Sequence, residues 1–443
     1  MRSLRLLFAD PKGVVYAHPV LLAAVRTGDA MGAPSVRPVP LPDGSKLCIL
    51  PGRRPVGIDP EQGEPVVLSE ARVGRHTFVP QAVGAILPPG FTREYLPAAA
   101  GGLPQLGTPV LPQWAYTAAA EGEEGPGIFA LRTDRRRHWS PAKHSTAELA
   151  ERVKARLATP FAKGNPVWRQ IAHCALTYRC FTAQNTFYGR DEGAIPSSSA
   201  CNAACLGCLS EQPEDMPPAS QERIARPPTA EEMAEVAAVH LASARGRVMI
   251  SFGQGCEGEP LLRWRAIAKA IRLVRSRTAR GSLNVNTNGS RPEALAALIE
   301  AGLDACRISL NSASDDLYAA YYRPVGYGLK DVVRSMKIAK ERGAYLALNL
   351  LTFPGVTDRE EEAERLCRLL ADAGVDQVQT RSLAIDPDLY MGIARGRGGG
   401  GRVLGLRALI AGMKAARPGL LVGNFARALF ERDPSATRPR RAS

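Results

Sequence analysis

The clearest pattern along the chain is an alternation of short apolar runs with longer amphipathic segments, between about residues 190 and 390. The short runs have the length of buried strands, which we predict at 248–252, 283–286, 306–310, 345–351 and 377–383. The longer segments repeat apolar residues at helical spacing, and we predict helices near 229–243, 261–277, 292–301, 330–342 and 357–373. Strands that alternate with helices indicate a parallel sheet joined by crossover helices. The sequence therefore predicts an α/β fold, a partial (β/α)6 barrel over residues 191–393.

Local signals mark the ends of these helices. Two capping boxes predict helix starts, one formed by Thr229 with Glu232 and one by Thr357 with Glu360. Three helices end in a glycine shortly before the next strand, at Gly302, Gly343 and Gly374. A glycine after the last helical residue, followed by a short loop, is typical of repeated βα units.

The regions on either side of this repeat have a different character. Residues 1–190 are rich in Pro and Gly, with short apolar runs near 6–8, 14–16, 46–50, 65–68 and 127–131, and helical patterns near 146–157 and 166–178. We interpret this region as a β-rich accessory region of unknown role that becomes helical towards its end. In the third region, 394–443, we predict a Gly/Arg linker at 394–401, a helix near 403–415, a short hydrophobic piece near 420–429 and a disordered basic tail at 433–443.

Composition narrows the class of protein. Hydrophobic residues make up 45% of 443 residues, which is ordinary for a soluble protein, and no apolar run is long enough for a membrane span. The first residues lack the apolar core of a signal peptide, so we expect a cytoplasmic protein. The net charge of +14 favours either an anionic partner such as nucleic acid or a solvated basic surface. The arginine runs at 135–137, 395–402 and 438–441 are dispersed and carry no interleaved aromatic residues, which makes nucleic acid the less favoured interpretation.

The cysteines suggest metal or redox chemistry. There are nine, and three are tightly clustered: Cys201, Cys205 and Cys208. Three thiolates at this spacing can each bind a separate iron of a cubane cluster, which leaves the fourth iron open for a small molecule. A structural zinc site is the alternative, but it needs four ligands, usually as two spaced pairs, and no histidine follows at finger spacing. We therefore favour an iron–sulfur cluster.

This C-x3-C-x2-C motif, placed after the first strand of a βα series, resembles that of the radical S-adenosylmethionine (radical SAM) superfamily. The resemblance covers roughly residues 190–390. It implies a [4Fe–4S] cluster whose fourth iron chelates the amino and carboxylate groups of S-adenosylmethionine. It also implies reductive cleavage to methionine and a 5′-deoxyadenosyl radical that takes hydrogen from a substrate. A low-potential electron donor of the flavodoxin or ferredoxin type is the implied partner.

The resemblance extends to cofactor-binding residues after later strands. Gly258-Glu259-Pro260 resembles the end of the family's Gly-Gly-Glu-Pro motif, whose glutamate holds the methionine ammonium. The stretch Asn286-Thr287-Asn288-Gly289 resembles the family's Thr-Asn-Gly element, and the resemblance implies cofactor contacts from four further side chains: Asn286, Asn288, Ser309 and Asn311. Arg381 is placed to neutralise the methionine carboxylate.

Two residues depart from the family pattern. Gly207 stands before the third cysteine where the family usually has an aromatic residue, which puts the adenine contacts in question. Glu257 stands where the family has the first glycine of Gly-Gly-Glu-Pro.

Other cysteines leave alternatives open. Cys256 has two interpretations. It lies at the barrel mouth, where it donates a hydrogen atom or binds a substrate or metal, or it is a buried small apolar residue, as free cysteines commonly are. Cys174 and Cys180, with His173 adjacent, either hold an auxiliary metal or pack in the core.

Three functional hypotheses follow from these patterns. The chain is a radical SAM enzyme acting on a small molecule or protein, a radical SAM enzyme modifying RNA, or a non-catalytic protein that uses a metal cluster for binding or sensing. The cofactor-like motifs argue against the third hypothesis, because a structural cluster has no need of a methionine-binding mouth.

Overall fold

A computed structural model of the chain describes residues 4–101, 108–243 and 248–429. The predicted basic tail at 433–443 lies outside the described residues. Within them, no helix has the length and apolar character needed to cross a membrane.

The first part of the chain is built from short antiparallel strands. The strands are β1 Arg5–Ala9, β2 Val15–Ala23, β3 Val25–Thr27, β4 Ala30–Gly32, β5 Val39–Pro40, β6 Lys46–Leu50, β7 Arg54–Ile58, β8 Pro65–Val67, β9 Ala71–Val73, β10 His76–Phe78, β11 Gln81–Ile86, β12 Phe91–Arg93, β13 Leu96–Pro97, β14 Ala99–Ala100, β15 Tyr116–Gly122, β16 Gly125–Ile128 and β17 Ala130–Arg132. Ten of them form one sheet in the order β14-β7-β2-β1-β11-β15-β16-β5, with β6 paired to β11 and β8 paired to β7. Alanines and short aliphatic side chains such as Ala9, Ala85 and Ile128 are fully buried on this sheet, so neighbouring layers approach closely.

Three helices then lead into the second part: α1 Leu149–Leu157, α2 Pro166–Leu176 and α3 Phe181–Tyr188. Their buried side chains, among them Leu149, Trp168 and Phe187, belong to the same hydrophobic core as the helices of the parallel sheet. Asn165 caps α2 by accepting a hydrogen bond from Val167 N at 3.0 Å, with Pro166 at the first helical position.

The second part is a parallel sheet of seven strands in sequential order: β18 Glu192–Ile195, β19 Met249–Phe252, β20 Ser282–Thr287, β21 Ala305–Leu310, β22 Tyr345–Thr352, β23 Gln377–Ser382 and β24 Leu421–Gly423. The helices that follow β18 along the chain are α4 Ala230–Ser243, α5 Trp264–Arg277, α6 Pro292–Ala301, α7 Asp315–Tyr322, α8 Leu329–Glu341, α9 Glu360–Asp372, α10 Pro387–Ala394 and α11 Leu406–Ala416. Within the described residues no hydrogen-bonded ladder joins β18 to β24, so the sheet is open. The predicted α/β fold with a partial barrel and a β-rich N-terminal region is confirmed.

Most predicted elements lie within three residues of the observed ones, and the capping box of α4 forms as expected. Glu232 N donates to Thr229 Oγ1 at 3.2 Å, and Thr229 N donates to Glu232 Oε2 at 2.8 Å. The second capping box was wrong. Thr357 Oγ1 instead accepts the N–H of Phe353 at 2.9 Å in the loop after β22, and α9 begins at Glu360.

In the second part of the chain, the sequence analysis missed two short helices and one strand. Helices α7 and α10 have only eight residues each, too few to show a helical period. Strand β24, within the predicted hydrophobic piece, pairs in parallel with β23. The glycine-rich segment after α10 is bonded to the first turn of α9, where Gly400 N donates to Glu361 Oε2 at 2.9 Å and Arg402 Nε to Glu360 Oε1 at 2.9 Å.

The N-terminal region is joined to the end of the parallel sheet by buried polar contacts. The guanidinium of Arg53, 2% exposed, pairs with Asp386 at 2.6 Å. Thr92 and Thr380 share a hydrogen bond of 2.8 Å between their hydroxyls, and Arg93 N donates to Ser382 Oγ at 3.0 Å. These contacts place the N-terminal region beside the carboxyl end of β23.

Candidate active site

The loop between β18 and α4 carries three half-buried cysteines: Cys201, Cys205 and Cys208. Helix α7 holds this loop, since Ala204 N donates to Tyr322 O at 3.1 Å and Leu206 N donates to Tyr321 O at 2.9 Å. Cys208 N closes a turn onto Cys205 O at 3.0 Å. The three thiols therefore stand on one folded loop at the carboxyl end of the parallel sheet.

A cavity of about 400 Å³ lies above the carboxyl ends of the strands. It is lined by the three cysteines and by seven of the residues that the resemblance implied: Gly258, Glu259, Pro260, Asn286, Asn288, Ser309 and Arg381. Residues from five segments of the sequence thus meet at one site, as ligand sites on parallel α/β folds commonly do.

Two predicted site residues do not line this cavity. Asn311 is fully buried, and its amide donates to Tyr390 Oη at 3.3 Å and Leu317 O at 3.4 Å among the helices. Strand β21 ends at Leu310, so the alternation that places Ser309 towards the cavity no longer holds at Asn311. Cys256 is turned away by a tight turn in which Glu257 N donates to Gln254 O at 3.1 Å, while Gln254 and Glu257 face the cavity.

Glu259 is a buried carboxylate whose position is fixed by hydrogen bonds. Its Oε1 accepts from Leu261 N at 2.9 Å and from the Thr287 hydroxyl, and its Oε2 accepts from Asn288 N at 2.8 Å. Burial raises the pKa of this carboxyl to about 7, although these donors oppose the shift. Because each carboxylate oxygen has two acceptor sites, the group retains the capacity to bind a cation in the cavity.

Gly258 is required by the close approach of two loops. Gly258 N donates to Ser198 O at 2.9 Å, and Glu259 N donates to Ala200 O at 2.7 Å. A Cβ atom at position 258 would lie 2.2 Å from the backbone oxygen of Ala200. Only glycine therefore allows the loop after β19 to lie directly against the residue before the first cysteine of the motif.

The structure accounts for the missing aromatic residue at position 207. A Cβ atom at Gly207 would lie 3.0 Å from Tyr321 Oη, so Tyr321 would have to shift to admit a larger side chain there. Tyr321 and Tyr322, both from α7, line the cavity beside the cysteines. Aromatic surface is thus supplied by a helix that the sequence analysis missed, although the run Tyr318-Ala-Ala-Tyr321-Tyr322 was a visible signal.

The second departure, Glu257, also faces the cavity. Its side chain is 7% exposed and its Oε2 accepts a hydrogen bond from Ile224 N at 3.4 Å. Burial raises the pKa of Glu257 to about 8. A second acidic group therefore stands beside Glu259 at the position where the family has glycine.

The floor of the cavity is a polar network inside the sheet. Arg307 of β21 pairs with Glu192 of β18 and donates to Asn286 Oδ1 at 2.7 Å and Gln379 Oε1 at 2.9 Å. The sequence analysis missed this pair, although a charged residue within the apolar run of β21 was a usable signal. The pair joins strands that lie far apart in the sheet and so fixes the shape of its inner face.

Arg381 is a half-buried cation next to this network. Its guanidinium donates to the amide oxygens of Asn349 at 3.3 Å, Asn424 at 3.1 Å and Gln379 at 3.0 Å. Within the described part of the chain, no carboxylate lies within 4 Å of it. Burial, and repulsion from Arg307, lower the pKa of Arg381 to about 10. A half-buried cation held only by neutral groups suits an anionic ligand.

Arg223 was also missed and lies beside the third cysteine. Its Nη2 is 3.8 Å from Cys208 Sγ, its Nε donates to Ser210 Oγ at 2.9 Å, and Glu211 pairs with it at 2.7 Å. A guanidinium at this distance stabilises negative charge on the sulfur.

A second cavity of about 330 Å³ adjoins the first and shares Gln254, Arg307 and Arg381 with it. Its other walls include Phe181 and the stacked rings of Trp139 and Phe425, whose centroids are 4.7 Å apart. Gln254 Nε2 is buried between the cavities and has no hydrogen-bond partner among the described residues. The second cavity has room for a small molecule or a side chain next to the first.

Comparisons with known proteins were made for the sequence and for the fold. No curated protein matches the sequence. The native anSMEcpe structure with bound AdoMet aligns over 44% of this chain and 52% of its own, with 16% identity and a TM-score of 0.34. A radical SAM methyltransferase from Sphaerobacter thermophilus aligns over 52% of this chain and 65% of its own, with 16% identity and a TM-score of 0.35. Streptococcus suis SuiB bound to precursor peptide SuiA aligns over 48% of this chain and 42% of its own, with 15% identity and a TM-score of 0.33.

This chain spans less than two thirds of the length of each of these three structures. Residues 195–370 match the family model described as the Radical SAM superfamily, and the match includes the cysteine loop, the loop after β19 and strands β20 to β22. Over these residues, which are less than half of the chain, the sequence is similar to the radical SAM superfamily.

Proposed function

We propose that Cys201, Cys205 and Cys208 hold a [4Fe–4S] cluster and that the cavity beside them binds S-adenosylmethionine for reductive cleavage. One observation carries the proposal. The three thiols share a cavity with a buried carboxylate, Glu259, and a half-buried guanidinium, Arg381, that has no carboxylate partner among the described residues. A zwitterionic amino-acid group with an ammonium and a carboxylate complements that pair of charges.

The residues have distinct roles in this proposal. Glu259 accepts hydrogen bonds from the methionine ammonium, and Arg381 donates to the methionine carboxylate. Asn286, Asn288 and Ser309 offer polar atoms to the ribose, while Tyr321 and Tyr322 cover the apolar side of the cavity. The loaded site supplies reductive cleavage of S-adenosylmethionine to methionine and a 5′-deoxyadenosyl radical that abstracts hydrogen from a substrate.

The substrate is a small molecule or a protein group that enters the second cavity. This cavity adjoins the first at Gln254 and Arg381, so a bound group there lies next to the cofactor site. The stacked pair of Trp139 and Phe425 forms an apolar wall that keeps water from a reactive intermediate. We propose a cytoplasmic setting and a low-potential donor of the flavodoxin or ferredoxin type.

The test is anaerobic reconstitution with iron and sulfide, followed by reduction with dithionite in the presence of S-adenosylmethionine. Wild-type protein is expected to form 5′-deoxyadenosine. A Cys205→Ala variant is expected to lose this activity and the iron of the site, while Cys367→Ala, in helix α9, is the matched control. The proposal fails if wild-type protein forms no 5′-deoxyadenosine and Cys205→Ala binds as much iron as wild type. Loss of iron from Cys205→Ala together with no 5′-deoxyadenosine from wild-type protein would instead favour a non-catalytic metal protein.

An RNA substrate is a second candidate, which the net charge of +14 favours. Within one of the arginine runs, however, Arg395 pairs with Asp29 at 2.7 Å and Arg402 pairs with Glu360 at 2.7 Å, so part of this charge is neutralised. Binding to bulk tRNA with a steep salt dependence would support the RNA candidate, and absence of binding at low salt would remove it.

A further inference from the structure

The second cavity lies at the open edge of the parallel sheet. On its wall, Glu192 belongs to the first strand, β18, and Phe425 follows the last strand, β24. No ladder joins these two strands among the described residues, so the cavity occupies the gap between them. The N-terminal region also contributes to the wall, with Trp139, Arg179 and Phe181. Residues from before the parallel sheet therefore build part of the proposed substrate cavity.

The charges on this wall are mostly positive. Three arginines line the cavity, Arg179, Arg307 and Arg381, and Glu192 is the only acid among the described lining residues. Glu192 is neutralised, because it pairs with Arg307 and its Oε1 accepts a hydrogen bond from Ser251 Oγ at 2.6 Å. The other two guanidinium groups leave an excess of positive charge, which favours an anionic occupant.

Arg179 is the cation that is available to this occupant. Arg381 is the proposed partner of the methionine carboxylate, so it is already engaged when the cofactor site is filled. The Arg179 side chain is exposed, and no hydrogen bond or ion pair joins its guanidinium to another residue that the structure describes. An anion bound in the second cavity would therefore give this guanidinium a partner that the chain itself does not supply.

The backbone at Arg179 is held in a conformation that favours glycine. Its φ is +52°, within the turn between α2 and α3 that Cys180 N closes onto Cys174 O at 3.0 Å. Arginine is strained in this region of backbone conformation, whereas glycine adopts it freely. Strained residues cluster at ligand sites, where the side chain is needed in spite of the strain. The cavity beside Arg179 provides such a need.

The rest of the wall suits an apolar group. The rings of Trp139 and Phe425 are buried and stack with their centroids 4.7 Å apart, and Phe181 and Pro89 also line the cavity. The volume of about 330 Å³ is roughly twice that of a cavity of about 150 Å³ that holds benzene. The second cavity therefore has room for an aromatic ring that carries a short side chain.

A further donor lies at the boundary with the cofactor cavity. The Nε2 atom of Gln254 is buried and has no hydrogen-bond partner among the described residues. The terminal torsion of a glutamine side chain is soft, so a rotation of the amide can turn this group towards a ligand in the second cavity. A ligand with an acceptor atom would satisfy this donor.

We propose that the second cavity binds a small organic acid, a carboxylate carried by an aromatic or other apolar body. Arg179 pairs with the carboxylate, and the apolar body lies against Trp139 and Phe425, with Gln254 on the side of the cofactor. The proposal rests on the proposed function, since it names the class of substrate for the same site. It also gives the N-terminal region a role, because that region supplies the cation and part of the apolar wall.

The test is a ligand-observed NMR titration of reconstituted full-length protein, with S-adenosylmethionine present and no reductant, so that it does not depend on turnover. The acidic probes are phenylacetate, 3-phenylpropanoate and indole-3-acetate. The matched neutral and cationic probes are 3-phenylpropanamide and 3-phenylpropylamine. We expect acids of this size to bind with a Kd below about 10 mM. The amide and the amine should bind at least about fivefold more weakly than 3-phenylpropanoate, because they lack the charge that pairs with Arg179.

Arg179→Gly is the informative variant, because it removes the guanidinium and the strain together. It should weaken the binding of the acids about fivefold and have a smaller effect on the amide. The melting temperature should stay unchanged, since relief of strain offsets the greater freedom of glycine in the unfolded chain. The control is Arg169→Gln, which changes an exposed arginine on α2 that does not line the cavity and should leave binding unchanged.

Three outcomes would overturn the proposal. The first is that none of the acids binds with a Kd below about 10 mM. The second is that the amide or the amine binds as tightly as 3-phenylpropanoate. The third is that Arg179→Gly binds the acids as well as wild-type protein does. Failure of the proposed function is a separate result, because it appears as absent 5′-deoxyadenosine formation in an assay without these probes, whatever the titration shows.

Discussion

Replacing Gly258 by alanine tests whether the loop after β19 sets the position of the cysteine loop. The added Cβ would lie 2.2 Å from Ala200 O, 2.7 Å from its carbonyl carbon and 2.8 Å from its nitrogen. A carbon atom normally stays about 3.3 Å from a carbonyl oxygen, so the loops must separate by about 1 Å. All three contacts are with backbone, so no side-chain rotation can relieve them.

The cost follows from what the separation breaks. Overpacking of this kind costs about 1–3 kcal/mol. Two hydrogen bonds between the loops, Gly258 N to Ser198 O and Glu259 N to Ala200 O, contribute about 0.5–1.5 kcal/mol each. Because a displacement of about 1 Å in an active site can lower a rate by about 100-fold, we expect 5′-deoxyadenosine formation to fall by about that factor.

The assay is anaerobic single-turnover formation of 5′-deoxyadenosine, with iron content and melting temperature measured on the same samples. Gly255→Ala is the matched control, since it lies in the same loop, lines the same cavity and has no atom within 4 Å of an added Cβ. Activity of Gly258→Ala within threefold of wild type would refute the reasoning. Equal losses in both variants would show that the loop is generally sensitive and that the contact with Ala200 is not the cause.

Three further predictions test other parts of the site and its support. Glu259→Gln removes the proposed partner of the methionine ammonium. It should weaken S-adenosylmethionine binding, measured by equilibrium dialysis, about 10- to 100-fold, since a hydrogen bond to a charged group contributes about 1.5–3 kcal/mol. Unchanged binding would mean that Glu259 does not bind the ammonium. Arg223→Gln removes a positive charge from beside Cys208 and should lower the reduction potential of the proposed cluster at Cys201, Cys205 and Cys208 in a redox titration. A tenfold change in this one-electron equilibrium corresponds to about 60 mV. The control Arg226→Gln changes an exposed arginine and should leave the potential unchanged. Arg53→Leu leaves the Asp386 carboxylate buried without its cation and should reduce the free energy of urea unfolding by about 3–5 kcal/mol; a loss below 1 kcal/mol would mean that the pair does not join the two regions.

The parallel sheet and the cysteine motif could be predicted from the sequence because their signals are local. A buried strand, a terminal glycine and a C-x3-C-x2-C spacing are each visible within a dozen residues. The capping box of α4 formed although Glu232 also pairs with Arg226, while Thr357 was taken by a loop bond to Phe353.

The parts that could not be predicted depend on contacts between distant segments. The pairing of Glu192 with Arg307 spans 115 positions, and that of Arg53 with Asp386 spans 333. The order of the ten antiparallel strands depends on similar long-range pairing between short runs with few distinguishing residues. Cys256 was placed at the barrel mouth by its spacing from Gly258, but a single turn was enough to move its side chain out of the cavity.

The contact between the N-terminal region and the end of the parallel sheet has a consequence for how the protein folds. The segment that matches the family, 195–370, stops before β23 and β24 and includes none of the partners of Arg53 and Thr92. Expressed alone, it would expose strand β22 as a bare sheet edge and would lack Arg381 altogether. We therefore expect that the segment 195–370 does not fold on its own. We expect the full chain to unfold cooperatively, in a single transition that empties the site and releases the N-terminal sheet together.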